Sequence, residues 1–138
     1  MIKQGIRLGL VFLSLLGWAY ADIEIRKGGS TWATITNSGE IRISGSTVGS
    51  VESDGSIRKG GSTVGQIRPD GEIRKGGSTY GQLRKDGELR VGGSSVGRVD
   101  SDGGIRKGGS TWGQARGASG FDDQRKVTGA LIFFSGDF

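Results

Sequence analysis

One sixteen-residue phrase, IRKGGSTVGQIRPDGE from Ile57 to Glu72, returns almost unchanged as IRKGGSTYGQLRKDGE from Ile73 to Glu88. The same phrase can be followed without insertion from Ile25 to Gly120. It gives six consecutive copies, which begin at Ile25, Ile41, Ile57, Ile73, Leu89 and Ile105. A strict period of this length marks an array of identical supersecondary units that bury their apolar faces against one another.

Within each copy the positions keep their chemistry. Position one is Ile or Leu, position two is always Arg, position five Gly and position six Ser. Position eight is Trp32, Val48, Val64, Tyr80, Val96 and Trp112. Position eleven is Ile35, Val51, Ile67, Leu83, Val99 and Ala115. The chain has 29 glycines, and their fixed places in the period make them turns in an ordered array.

Each copy has room for two short strands and two reversals. Lys59-Gly60-Gly61-Ser62 suits a two-residue type I′ hairpin, which needs φ > 0 at both central residues. That register sets Arg58 opposite Thr63 and Ile57 opposite Val64. Arg68-Pro69-Asp70-Gly71-Glu72 reads as a type I turn closed by a glycine bulge. It sets Ile67 opposite Ile73 and Arg68 opposite Glu72, a charge pairing repeated by Arg84 and Glu88. Val64 and Ile67 are an odd number apart, so a regular strand would face them oppositely. A bulge or bend at Gly65 is expected to bring both inward.

The expected fold is all-β: an antiparallel meander of twelve short strands, closed into a shallow barrel or ring. Closure removes the edges that would recruit other chains. It also sets the first and last copies side by side, which brings Trp32 near Trp112.

Two segments fall outside the array. Lys3 and Arg7, the apolar run Leu8 to Trp18 and Ala19-Tyr20-Ala21 read as a secretory signal peptide over residues 1–21, cut after Ala21. The run is shorter than the ~20 residues that a membrane-spanning helix needs. The expected location is therefore secreted or periplasmic, and the layout looks bacterial. After Gly120 the repeat stops. Asp122 and Asp123 precede Gln124-Arg125-Lys126, a helix start with acids in the first turn. Val127, Ala130, Leu131 and Phe134 follow at helical spacing. Val127, Thr128, Ile132 and the Phe pair also suit a final strand; the helix is the preferred reading. With apolar content at 33% the repeats are thinly supplied with core. The segment 121–138 is therefore expected to plug the ring.

The pattern Ile-x-x-Gly-Gly-x-x-Val-Gly-x-Ile-x-x-Asp-Gly-x resembles bacterial short-hairpin repeat proteins of the β-flower type, over Ile25 to Gly120. The resemblance implies a shallow symmetrical barrel with hairpins as petals. It is similar in architecture to tubby-like barrels, which hold an apolar helix in the centre. The resemblance implies no activity. Tubby-like domains bind membrane phosphoinositides, but no residue set here matches a headgroup motif, so that property is not carried over.

Candidate functional residues follow from the segregation of charge. Arg26-Lys27, Arg58-Lys59, Arg74-Lys75 and Arg106-Lys107 gather beside the Gly-Gly turns, while Asp54, Asp70, Asp86 and Asp102 sit at the opposite turns. A basic rim of this kind could engage anionic lipid, lipopolysaccharide or acidic polysaccharide. The plainer reading is a solvated face that limits aggregation. Trp32, Tyr80 and Trp112 could stack on sugars, or serve as larger versions of the Val at their position. Setting aside Lys3 and Arg7 leaves 17 basic against 14 acidic residues, net +3, too mild to imply nucleic acid.

The chain has no Cys and no His, which removes disulfides, thiolate or imidazole metal sites and the common nucleophile pairs. Asp100-Ser101-Asp102-Gly103 matches part of a calcium loop but lacks the other ligands and the distal Glu. Gly-Gly-Ser-Thr is not followed by the Gly-Lys-Ser/Thr of a phosphate loop. No cofactor and no enzymatic activity are expected. The leading expectation is an exported protein with a structural or binding role in the cell envelope. The alternative is a self-assembling subunit whose repeats stack as a β-solenoid or a curli-like fibre.

Overall fold

Glycine reversals every eight or so residues leave strands only four to seven residues long. The computed structural model describes residues 22–138, so the signal-peptide expectation for 1–21 lies outside the described residues. In order, the strands are β1 Ile23–Lys27, β2 Ser30–Ile35, β3 Glu40–Ile43, β4 Ser46–Val51, β5 Ser56–Lys59 and β6 Ser62–Ile67. They continue as β7 Glu72–Lys75, β8 Ser78–Leu83, β9 Glu88–Val91, β10 Ser94–Val99, β11 Gly104–Lys107 and β12 Ser110–Arg116. Each strand pairs antiparallel with its neighbours in sequence, and β1 pairs with β12 to close the barrel. A helix α1, Gly120–Ala130, runs on into a π-helical turn, Leu131–Ser135.

Both reversals have the expected geometry. At the Gly-Gly end, Gly60 and Gly61 take φ of 58° and 90°, the signature of a type I′ turn. The second copy has Ser44-Gly45 there, and Ser44 (φ 52°) is the one non-glycine among the described residues held at positive φ. At the Asp-Gly end, Arg68 N–H donates to Glu72 O and Gly71 N–H donates to Arg68 O, both at 2.8 Å. Glu72 N–H also donates to the Asp70 carboxylate at 2.9 Å. The Arg68–Glu72 and Arg84–Glu88 pairs stand at 3.7 and 3.6 Å on the outer wall. Exposed pairs of this kind contribute about 0–1 kcal/mol, so they fix register more than they stabilise. Side chains at position ten strap one copy to the previous turn, as Gln82 Nε2 does by donating to Asp70 O at 2.9 Å.

The register confirms Arg58 opposite Thr63 and Ile67 opposite Ile73, and it corrects one pairing. Ile57 lies opposite Gly65, where Val64 was expected. The ladder shifts there, so Val64 is the extra residue of a bulge and is only half-buried. The bulge does reconcile Val64 with Ile67, but the glycine is the paired, inward residue. The reason is crowding. A Cβ on Gly65 would run into the Arg74 carbonyl oxygen of the next strand and into the Phe133 ring. Four of the other copies share the crowding, while the first holds Ala33 at this position. Cβ atoms at Gly49, Gly81, Gly97 and Gly113 would each meet a neighbouring backbone carbonyl.

Positions one and eleven point inward as a lining of Ile, Leu, Val and Ala, and nearly all of these are fully buried. Into this lining goes the tail. Val127, Ala130, Leu131, Ile132 and Phe133 are buried, and Gly129 lies against Ile57 and Ile67. The tail is thus the expected helical plug, and it supplies the core that the repeats lack. A helix apolar on most sides is stable only when enclosed, and the barrel encloses it.

Candidate functional site: the lysine-aromatic end of the barrel

The plug runs from one end of the barrel to the other. At the Asp-Gly end Arg125, buried, donates through Nη2 to Ile67 O (2.6 Å) and through Nε to Arg68 O (2.9 Å). Gln124 Nε2 donates to Val99 O at 2.7 Å, and the Thr128 hydroxyl donates to Gln124 O at 2.7 Å. The three buried polar side chains are therefore all satisfied, as burial demands. A cavity of about 220 Å³ opens beside Arg125, lined also by Glu52, Ser53, Asp122 and Lys126. Its charges balance, and Arg125 already pairs with Asp122 at 3.3 Å.

The other end is chemically distinct. Lys27, Lys59, Lys75 and Lys107 are exposed at position three of their copies, around the mouth of the bore. Beneath them lies an aromatic floor made partly by the repeats and partly by the tail. Trp32 and Trp112 meet edge to face with centroids 5.7 Å apart, which confirms the closure argument, and Phe138 meets Trp112 edge-on, also at 5.7 Å. The lysine ammonium groups lie over these rings: Lys27 over Trp112 at 5.2 Å, Lys59 over Phe134 at 5.3 Å, Lys75 over Tyr80 at 4.6 Å, Lys107 over Phe138 at 6.0 Å. Such contacts hold ammonium groups in place without neutralising them. Lys27 also pairs with Asp137 at 2.8 Å, and Lys59 Nζ donates to Phe133 O at 3.3 Å. No family model, curated protein or solved structure matches the chain.

The arginines of the same rim behave differently. Arg26, Arg58, Arg74 and Arg106 stand on the outer wall, and each donates through Nη2 to a carbonyl of its own Gly-Gly turn: Gly29, Gly61, Gly77 and Gly109. Each also reaches the threonine across the hairpin, as Arg58 does with Thr63 at 3.0 Å. Position two therefore staples the turn, while at position three Lys59, Lys75 and Lys107 pair with no carboxylate among the described residues and Lys27 is held by Asp137. The sequence separates these roles only through strand alternation, which sends neighbouring residues to opposite faces. Trp32, Tyr80 and Trp112 are half-buried and pack against the core from the mouth.

At the opposite end Asp54, Asp70, Asp86 and Asp102 each accept the backbone N–H two residues on. They cap their turns. Asp100 pairs with Arg98 at 3.1 Å. Among the described residues no group of three or more His, Cys, Asp or Glu side chains could hold a metal ion.

Four carboxylates are held below their ordinary range. The Thr31 hydroxyl acts first on Glu24, the Ser56 backbone N–H on Asp54 and the Thr79 hydroxyl on Glu72. For Asp137 the Lys27 ammonium acts first, then the Trp112 indole N–H, which donates to it at 2.9 Å. A carboxylate with a depressed folded pKa contributes stability that is present above its unfolded value and lost as pH falls. The Asp137 anchor is therefore expected to loosen as pH drops from about 3.8 downward, through its lower folded value. Tryptophan emission on acidification should shift over that range, and Asp137→Asn should show the shifted emission already at neutral pH.

Proposed function

We propose that this is an exported, non-enzymatic protein of the bacterial cell envelope that docks its lysine-ringed mouth onto an anionic surface of lipid headgroups or acidic polysaccharide. The observation that carries the reading is the set of four exposed ammonium groups held around one end of the barrel over a half-buried aromatic floor. Basic residues near an anionic membrane contribute about 1 kcal/mol each, and the contribution decays within a Debye length. Aromatic rings with one wet edge suit the boundary between water and an apolar layer.

The non-enzymatic part rests on the carboxylates. General acid-base work asks for a group tuned toward the working pH. The four shifted carboxylates all move the other way and remain anions.

The test is co-sedimentation with vesicles. Anionic phospholipid vesicles should retain the protein at low ionic strength and release it at about 0.5 M salt, where the Debye length has shrunk to a few ångströms. Zwitterionic vesicles should not retain it. Lys59→Glu with Lys75→Glu should weaken binding by about two to three orders of magnitude, at ~1 kcal/mol for each charge removed and again for each reversed. Arg84→Glu, at the far end, should leave binding unchanged. Failure to bind anionic vesicles at low salt, with retention on an immobilised acidic polysaccharide, assigns the mouth to the sugar. Failure of both refutes the reading.

A further inference from the structure

The lysines of the mouth come in two pairs related by half a turn. Three copies make half of the ring, so Lys59 and Lys75, in copies three and four, correspond to Lys107 and Lys27, in copies six and one. Within each pair the two residues stand on strands that flank a third: β5 and β7 flank β6, and β11 and β1 flank β12. The backbones are then roughly 10 Å apart, at ~4.8 Å per strand. Two flexible four-carbon stems can lean across that gap onto one group placed between them.

One pair already holds an anion, and the protein supplies it. After the π-helical turn the chain reverses at Gly136, in the left-handed region at φ 77°, and Asp137 follows. Its Oδ2 accepts from Lys27 Nζ at 2.8 Å and from the Trp112 indole N–H at 2.9 Å. Lys107 acts on the same carboxylate through space and helps to keep it ionised. An anion set between two position-three lysines is therefore something this mouth demonstrably accommodates.

Half a turn away the lysines are placed but not neutralised. Lys59 Nζ donates to Phe133 O at 3.3 Å and lies over Phe134, while Lys75 lies over Tyr80 and, at 5.9 Å, over Phe133. The Phe138 main-chain oxygen takes its hydrogen bond from the Tyr80 hydroxyl, at 3.3 Å. Among the described residues no carboxylate pairs with Lys59 or Lys75, and both are exposed. The arginines on the outer wall do not create the difference, because their partners match in the two halves. Glu72 takes Arg74 and Arg68 as Glu24 takes Arg26 and Arg116. Arg58 and Arg106 bond alike to threonine and to a turn carbonyl. The acid that distinguishes the halves is Asp137. The strand between the lysines differs too: β6 carries Val64 where β12 carries Trp112, so the indole that backs Asp137 has a smaller counterpart without an N–H.

We infer that the mouth contains two equivalent anion sites, that Asp137 fills the one at Lys27 and Lys107, and that the one at Lys59 and Lys75 takes a phosphate group from outside. Phosphate fits the open site better than a second carboxylate does. Its oxygens point in several directions, so ammonium groups that approach from opposite sides each find an acceptor, with no third donor such as the indole required. It is also bulkier than a carboxylate, as the exchange of Trp112 for Val64 allows. The inference deepens the docking proposed above and rests on it only for the source of the phosphate, a lipid headgroup as against a free phosphate.

Titration with inorganic phosphate at neutral pH and constant ionic strength, against a chloride control, tests the site without a membrane. The lysine side-chain NMR signals, assigned through single Lys→Gln variants, are the readout. In the unaltered protein Lys59 and Lys75 should shift together along one saturating curve, with Lys27 and Lys107 unmoved. Lys75→Gln should weaken the phosphate response at Lys59 about tenfold or more, since a hydrogen bond to a charged group contributes ~1.5–3 kcal/mol. Asp137→Asn should open the second site, so that Lys27 and Lys107 also saturate and the stoichiometry rises from one phosphate to two. The unchanged Lys59–Lys75 curve in that variant shows that the barrel is intact. Four lysines that respond alike, no saturation at Lys59 and Lys75, or an Asp137→Asn protein that still takes one phosphate overturns the inference. Vesicles then separate the sources. Release from anionic vesicles by phosphate, beyond that by chloride of equal ionic strength, assigns the site to a lipid headgroup. Saturation by phosphate without vesicle binding assigns it to a free phosphate, upholding the site while removing the docking. Vesicle binding without saturation by phosphate removes the site and leaves the docking.

Discussion

Removing Phe121–Phe138 is expected to abolish cooperative unfolding. The repeats supply a lining but no filling, because each copy points mainly its position-one and position-eleven side chains inward. The filling is Val127, Leu131, Ile132 and Phe133, with Ala130 and Gly129 where the helix presses closest. Burying a large apolar side chain is worth about 1.5–3 kcal/mol. Four of them supply roughly 6–12 kcal/mol, which matches the whole net stability of a typical domain, about 5–15 kcal/mol. Arg125 and Gln124 would also leave, and with them the donors to Ile67 O, Arg68 O and Val99 O. The truncated chain should keep some β signal from its hairpins. It should bind a hydrophobic dye and melt without a sigmoidal transition. A sharp melt at the full-length temperature would show that the lining is self-sufficient.

Gly65→Val is expected to be the most damaging single substitution in the array, costing about 3 kcal/mol or more. The added carbon would occupy space held by the Arg74 carbonyl, and by the Phe133 ring of the plug. The carbonyl belongs to the neighbouring strand, so relief requires the ladder to open. Val64→Ala, one residue earlier, should cost under about 1.5 kcal/mol, since Val64 is a half-buried bulge residue whose removal leaves no enclosed void. The contrast in chemical-denaturation midpoints tests the corrected register directly. Under the pairing expected from the sequence, with Val64 facing Ile57, the order of the two costs would be reversed.

That reversal shows what could be read from the letters and what could not. Ile67 opposite Ile73 followed from turn chemistry, because Pro-Asp-Gly specifies both the turn and its bulge. The closure followed from edges, and Trp32 beside Trp112 followed from the closure. The bulge at Val64 did not follow. A glycine inside a strand can be the extra residue or the one that lets another backbone approach, and only the neighbouring strand decides between them. The buried Gln124 and Arg125 were also hidden. Polar side chains near a helix start ordinarily face water, and here their carbonyl partners lie far away in sequence. The separate roles of Arg58 and Lys59 were legible in principle from strand alternation, once position one was known to point inward.

The tail that fills the bore also acts as its gauge. Nothing in a hairpin unit counts its neighbours, and five or seven copies of the same phrase could curve into a ring by the same local rules. An α-helix with its side chains is about 10–12 Å across, a thickness that does not scale with copy number. Gain or loss of one unit by duplication or deletion would leave a ring too wide or too tight for Leu131 and Phe133. On this view the least repetitive stretch of the chain polices the most repetitive one, and a change in copy number would have to be matched by a change in the segment after Gly120.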